Sequence, residues 1–322
     1  MSDNTRSAPD LSVTIAGVRF ANPVIAASGT FGYGREYEDL LDVGSLGGIC
    51  TKGLTLEPRE GNRGIRLHET ASGLMNSIGL ENPGIAAFMR NELPRLLGLG
   101  PVIIANLSGS RIEDYAEGAA LLSEENADGR GVDMIELNIS CPNVKAGGMA
   151  FGLCPADAAS VTAAVRSCTK KPLIVKLSPN AGDLAGVARA CQDSGADALS
   201  LVNTFKALAI DLRTQKPVFD NVSAGLSGPA IKPIALRMVW EVADAVDIPL
   251  IGMGGISNAE DALEFILAGA SAVQLGSITF ARPSAMTETI AGIENWLRLH
   301  GLARLDGLIG AAKPQNESQN DK

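Results

Sequence analysis

Short uninterrupted apolar runs alternate with longer amphipathic stretches along most of this chain. The runs at residues 23–27 (PVIAA), 48–51, 102–106 (VIIAN), 134–139 (MIELNI), 173–177 (LIVKL), 198–203 (ALSLVN), 249–252 and 272–275 have the length of strands buried on both faces of a parallel sheet. Between them the apolar positions recur at helical spacing over 35–42, 85–97, 113–122, 156–168, 184–192, 231–245, 258–267 and 284–299. Ser257 and Glu260 are placed to form a capping box for the helix at 258–267. Eight buried strands, each followed by a helix, predict an α/β fold of the (β/α)8 TIM-barrel class. A hairpin at 11–20, turning at Gly17, is expected to plug the bottom of the barrel. Two polar excursions, 54–84 and 205–228, are too long for ordinary loops and are expected to wall or cover the C-terminal face. The barrel is expected to be one domain over 1–312, with residues 1–10 frayed and 313–322 a disordered polar tail.

Composition narrows the function. Of 322 residues 46% are hydrophobic and 4% aromatic, so the core must be aliphatic, as suits helices packed on a parallel sheet. With 27 basic against 36 acidic residues the net charge is −9 and no basic run stands out, which argues against nucleic acid or an anionic membrane as partner. The absence of an apolar run of about 18 residues and of a charged-then-apolar leader predicts neither a membrane span nor secretion, hence a cytoplasmic protein. Five cysteines, odd in number and without a C-x-x-C pair, suit reduced thiols better than disulfides, and no metal or iron–sulfur site is expected on this chain. With only two histidines, proton transfer is not expected to rest on His.

In a barrel every βα loop opens on one face, so polar residues ending the strands meet around one mouth. They are Ser28, Lys52, Asn106, Asn138, Lys176, Asn203, Gly254-Gly255 and Gly276-Ser277. A lysine in an apolar strand such as LIVKL needs an anionic partner to offset its burial. The Gly-Gly and Gly-Ser turns after strands seven and eight leave backbone N–H groups open for a phosphate. Cys141, between Ser140 and Pro142 and bracketed by Asn138 and Asn143, is a candidate reactive thiol, and Gly147-Gly148 is either the hinge of a lid over it or a turn. Cys50, Cys168 and Cys191 read as small packed hydrophobes, Cys154 as a loop residue, His68 as a surface or hinge residue, and His300 as structural or solvated. The loop FGYG is not a dinucleotide fingerprint, because Tyr37 stands where the third glycine belongs.

The segments ANPVIAASGTFGYGREY, TKGLTLEPREGN, NSIGLENPG, ELNISCPNV, VKLSPN, GLSGPAIKP and IGMGGISNAEDALEFILAGASAVQLGS lie in order over nearly the whole chain. Together they resemble the class 1 dihydroorotate dehydrogenases, and GREY, GGMAFG and AGASAV are more similar to subfamily 1B than to 1A. The resemblance implies FMN-dependent oxidation of dihydroorotate to orotate in pyrimidine synthesis. It also implies a homodimer joined by a second subunit, carrying FAD and a [2Fe–2S] cluster, into a heterotetramer that passes electrons to NAD+. Carried over residue by residue, Cys141 removes the C5 proton while hydride leaves C6. Lys52, Asn76, Ser77, Ile78, Gly79, Leu80, Asn138, Asn143, Asn203 and Thr204 hold the substrate. Ser28, Thr51, Lys52, Asn106, Asn138, Lys176, Val202 and Gly228 contact FMN, with Gly254, Gly255, Gly276 and Ser277 on its phosphate. A thiol with the ordinary pKa of ~8.5 is mostly protonated at neutral pH, so Cys141 acts as a base only if its surroundings lower that value or the fraction ionised suffices, and Lys52 is the expected helper. Competing readings are a fumarate-linked class 1A-like enzyme, a related flavin barrel acting on neutral pyrimidines such as a dihydropyrimidine dehydrogenase domain, and a cofactor-free aldolase barrel.

Overall fold

The computed structural model describes residues 8–126, 128–140 and 151–314. Strands β1 (Val13–Ile15) and β2 (Val18–Phe20) form the expected hairpin, and β3 (Val24–Ala26) and β4 (Gly48–Cys50) follow. Then come β5 (Leu67–Thr70), β6 (Gly73–Asn76), β7 (Val102–Leu107), β8 (Met134–Asn138), β9 (Leu173–Lys176) and β10 (Ala198–Leu201). The chain continues through β11 (Phe205–Leu208), β12 (Ile210–Asp211), β13 (Lys216–Pro217), β14 (Ser223–Ser227), β15 (Leu250–Met253) and β16 (Ala270–Leu275). Eight of these close a parallel barrel in the order β3-β4-β7-β8-β9-β10-β15-β16. Its strands are buried along nearly their whole length because helices cover the outside and side chains fill the inside.

The hairpin β1–β2 turns at Ala16 and Gly17, both at positive φ, as a type I′ turn requires. It buries Ile15 and Phe20, and the Phe20 ring lies against Gly48 at the start of β4, so the hairpin closes the N-terminal end as expected.

The helical face differs from expectation in two places. The helix expected at 35–42 is replaced by 3-10 turns at Arg35–Tyr37 and Val43–Ser45. Tyr37 stacks on Phe31 and its hydroxyl meets Thr30 O and Thr279 Oγ1, contacts that bend this segment toward β16 and leave no length for α-helix. Helices α1 (Ile85–Asn91), α2 (Leu93–Leu96), α3 (Ile112–Leu122), α4 (Pro155–Cys168), α5 (Leu184–Asp193), α6 (Lys232–Ala243), α7 (Ala259–Leu267), α8 (Ile278–Ala281) and α9 (Ala285–Leu299) pack around the barrel. The second difference is the cap of α7: Asn258 accepts the Asp261 N–H while Asp261 accepts the N–H of Ser257. The N-cap is therefore Asn258, one residue later than Ser257, and Asp261 in place of Glu260 reaches back to the N–H of the residue before the cap.

Both polar excursions contain strands. β5 and β6 from the first and β11 and β14 from the second form one antiparallel sheet in the order β11-β14-β6-β5, over a small core of Met75, Phe219 and Ala224. Gly225 faces Asn76 across β14–β6, and a Cβ on it would stand 2.1 Å from Thr204 Oγ1, so glycine is needed to let this sheet seat against the end of β10. His68 lies on β5 with its ring edge against Phe219. Cys50 and Cys191 are buried, but Cys168 is exposed at the end of α4, where the core-facing positions are Ala158, Val161, Thr162 and Val165. Lys313 closes the described chain by donating to Trp240 O and pairing with Asp244.

Phe20→Ala is expected to lower the unfolding free energy by about 3–5 kcal/mol in urea titrations, as loss of a buried aromatic does. Leu212→Ser, at a residue 88% exposed, is expected to stay within about 0.5 kcal/mol.

Candidate active site

The C-terminal ends of the barrel strands and the antiparallel sheet enclose a cavity of about 260 Å³. Among the described residues it gathers Ser28, Lys52, Asn76, Ile78, Gly79, Leu80, Asn138, Lys176, Val202, Asn203, Thr204, Gly228, Gly254, Gly255, Gly276 and Ser277. Thr51, Ser77 and Asn106 lie just behind its wall and are buried. Cys141 and Asn143 fall outside the described residues, as do Gly147 and Gly148. The only charged side chains on the described wall are Lys52 and Lys176, on a chain whose net charge is −9. Two cations and no facing carboxylate select for an anionic ligand.

Lys176 ends β9 pointing inward, and the partner its burial demands is Glu136 on β8, Nζ to Oε1 3.8 Å. The Glu136 side chain is fully buried inside the barrel. Its Oε1 also accepts from Asn106 Nδ2 (2.7 Å) and Cys50 Sγ (3.2 Å), and its Oε2 from Ser200 Oγ (2.7 Å) and Gln274 Nε2 (2.9 Å). Burial pushes the Glu136 carboxyl up, but Lys176 and the bonds from Ser200, Cys50 and Gln274 outweigh it and hold the group below its ordinary value, hence ionised. Burial, and next the Glu136 charge, push the Cys50 thiol well up, so Cys50 is an inert donor here. Sequence reasoning missed Glu136, Ser200, Gln274 and the polar role of Cys50. The signal was available for one of them: a glutamate in MIELN carries the same burial penalty that marked the lysine in LIVKL.

At the other wall, Asn203 Nδ2 donates to Ser140 Oγ (2.5 Å) and Asn138 Oδ1 (3.3 Å), and Asn203 Oδ1 accepts the Thr204 N–H. Ser140 Oγ also donates to Asn138 Oδ1 (3.0 Å), and among the described residues the Asn138 NH2 donates to no acceptor. Asn76 donates to Gly225 O (3.3 Å), which keeps its own carbonyl oxygen available. These amides offer donors and acceptors side by side, as recognition of an amide-rich ring requires.

The backbone N–H groups of Gly254, Gly255, Gly276 and Ser277 donate to no acceptor among the described residues. Gly254 and Gly255 have φ of 122° and 80°, and a Cβ on Gly255 would meet Gly228 O at 2.8 Å. Glycine is needed there, and the N–H groups it frees form a cradle suited to phosphate oxygens.

A family model described as dihydroorotate dehydrogenase matches residues 10–297. The chain belongs to the dihydroorotate dehydrogenase family. Its reaction is the oxidation of dihydroorotate in pyrimidine synthesis. Among its relatives, a protein of Petrotoga mobilis named dihydroorotate dehydrogenase B (NAD(+)), catalytic subunit, is 56% identical over 301 residues, covering 94% of this chain and 99% of the relative. Proteins of the same name from Pelobacter propionicus and Thermoanaerobacter pseudethanolicus are 55% identical over 303 residues and 51% over 304, each covering 94% of this chain and 98% and 99% of theirs. Among the described residues no helix is long and apolar enough to cross a membrane.

Lys176→Met leaves the Glu136 carboxylate alone in the barrel. Urea unfolding is expected to show a loss of about 3–5 kcal/mol at about pH 8 and a smaller loss at about pH 5.5. Without its counter-charge the buried carboxyl would titrate above its unfolded value of 4.5, so the stability lost at high pH is regained as pH falls and the group takes up a proton. Equal losses at the two pH values would contradict the pairing.

Proposed function

We propose that this chain is the FMN-carrying catalytic subunit of an NAD+-linked dihydroorotate dehydrogenase, working in the cytoplasm as one catalytic domain over residues 1–312. The observation that carries the cofactor reading is a cavity with an open N–H cradle at one end, lysines as the only charged wall residues among the described residues, and buried amide acceptors beside them. The donor set fits the group. Gly254, Gly255, Gly276 and Ser277 suit the phosphate, while Ser28, Thr51, Lys52, Asn106, Asn138, Lys176, Val202 and Gly228 suit the ring system and its chain.

When bound, FMN supplies the hydride acceptor for C6 of dihydroorotate. This chain supplies the rest. Cys141 takes the C5 proton onto its sulfur, so that loss of H+ from C5 and of hydride from C6 leaves the ring double bond of orotate. The positive charge of Lys52 attracts the substrate carboxylate and favours the ionised thiol. Asn76, Asn138, Asn143, Asn203 and Thr204 fix the ring through their amide and hydroxyl groups, with Ser77, Ile78, Gly79 and Leu80 closing the side of the pocket. Lys176 places a cation where negative charge accumulates on reduction, a form of electrostatic stabilisation that needs no reorganisation.

The curated relatives are named as catalytic subunits, which supports a separate electron-transfer subunit. In this reading that subunit carries FAD and a [2Fe–2S] cluster, delivers electrons to NAD+, and joins a homodimer of this chain to make a heterotetramer.

Purified protein is expected to be yellow, with flavin absorbance that bleaches on addition of dihydroorotate; a colourless chain would contradict the flavin assignment. Cys141→Ser is expected to keep FMN and slow its single-turnover reduction by roughly 10²-fold or more, the usual contribution of a positioned base. Turnover with NAD+ should require the co-purified partner, whereas a lone chain active with fumarate would favour the 1A-like reading.

A further inference from the structure

The five groups that converge on Glu136 come from β4, β7, β9, β10 and β16, so one carboxylate ties together most of the barrel's interior at the level of the cavity floor. A carboxylate only accepts hydrogen bonds. Asn106 and Gln274 must therefore turn their NH2 groups toward it, and their carbonyl oxygens point away. Both oxygens are buried and have no partner among the described residues, and Gln274, 1% exposed, lines the cavity beside Lys176. Each orphaned acceptor carries an uncompensated desolvation penalty unless a ligand N–H meets it. A flavin ring carries an N–H between two carbonyls, which matches acceptors set next to a lysine.

We infer that Glu136 is the positioning residue of the cofactor site: it turns the amide of Gln274 so that its oxygen faces the cavity, turns that of Asn106 so that its oxygen lies against the wall glycine Gly53, and anchors the Lys176 ammonium at the cavity floor. The inference rests on the flavin reading above and assigns to one buried carboxylate the donor and acceptor pattern that the ring meets. Gln274 becomes a further cofactor-binding residue. With a neutral amide at 136, one of the surrounding NH2 groups faces another donor and must flip, presenting N–H where the ligand needs an acceptor. Lys176 is then left without its counter-charge.

The test compares FMN affinity of the apoprotein and the midpoint potential of the bound flavin in wild type, Glu136→Gln and Glu136→Asp. For Glu136→Gln the expected result is an FMN Kd raised about tenfold or more. The potential should also rise, because one negative charge is lost beside the ring, by about 30 mV for each tenfold gain in preference for the reduced form of a two-electron couple. Glu136→Asp keeps the charge and the fold but not the reach to every donor, so its FMN Kd should rise while its potential stays at the wild-type value. A structural role alone would lower the melting temperature and leave both readouts of the folded protein unchanged. That result in Glu136→Gln, or in Glu136→Asp where Glu136→Gln is not recovered folded, overturns the inference while the flavin assignment stands. A wild-type chain that binds no FMN overturns the flavin reading and the inference together.

Discussion

A buried carboxylate inside a barrel of aliphatic strands is tolerable only where its charge is compensated, and Glu136 is compensated by the Lys176 cation together with four hydrogen-bond donors, Cys50, Asn106, Ser200 and Gln274. Much of the barrel interior is filled by inward side chains such as Ile25, Ile104, Met134 and Ile174, which need only fit. The polar layer near the cavity needs more, because each donor must also aim at one carboxylate. The strand registers deliver it: Asn106 stands beside Glu136, Asn138 beside Lys176, and Lys176 beside Ser200 on successive strands. A slip of one residue in any of these pairings would turn the polar residue out of the barrel, so site and register stand or fall together.

Charge explains how an acidic protein offers an anion site. The surface carries the excess of carboxylates, while the described cavity wall presents Lys52 and Lys176, with the carboxylate nearest Lys176 already committed inside the barrel. Lys52 also reaches the mouth, where Glu81, hydrogen-bonded to Arg66, lies in its field. Backbone N–H groups complete the set. They come from two glycine-rich turns that follow adjacent strands β15 and β16, so their closeness is a property of barrel closure.

The eight strands were readable from their apolar runs, since burial on both faces leaves that pattern whatever the loops do. So were the strand-end residues, because a barrel sends all of them to one mouth. The excursions were less legible. Residues 54–84 and 205–228 read as loop because each contributes strands that are short, half exposed and stable only when paired with the other. Their partnership spans 149 residues between Asn76 and Gly225, a separation that no local pattern reports. Cys168 read as packed and is exposed, because one residue's place on a helix end is decided by which neighbour covers it.

Sequence alone determined the barrel, the polar mouth, the glycine turns after the last two strands and the need of Lys176 for an anion, because these follow from periodicity and from the penalty for burying charge. Tertiary structure alone decided that the anion is Glu136, that Asn106 and Thr51 are buried outside the cavity lining, and that Gln274 lines the cavity. The reason is geometric. Which inward side chains of a closed barrel meet depends on strand order and register, and these place residues 50, 106, 136, 176, 200 and 274 in one layer although they are scattered along the chain.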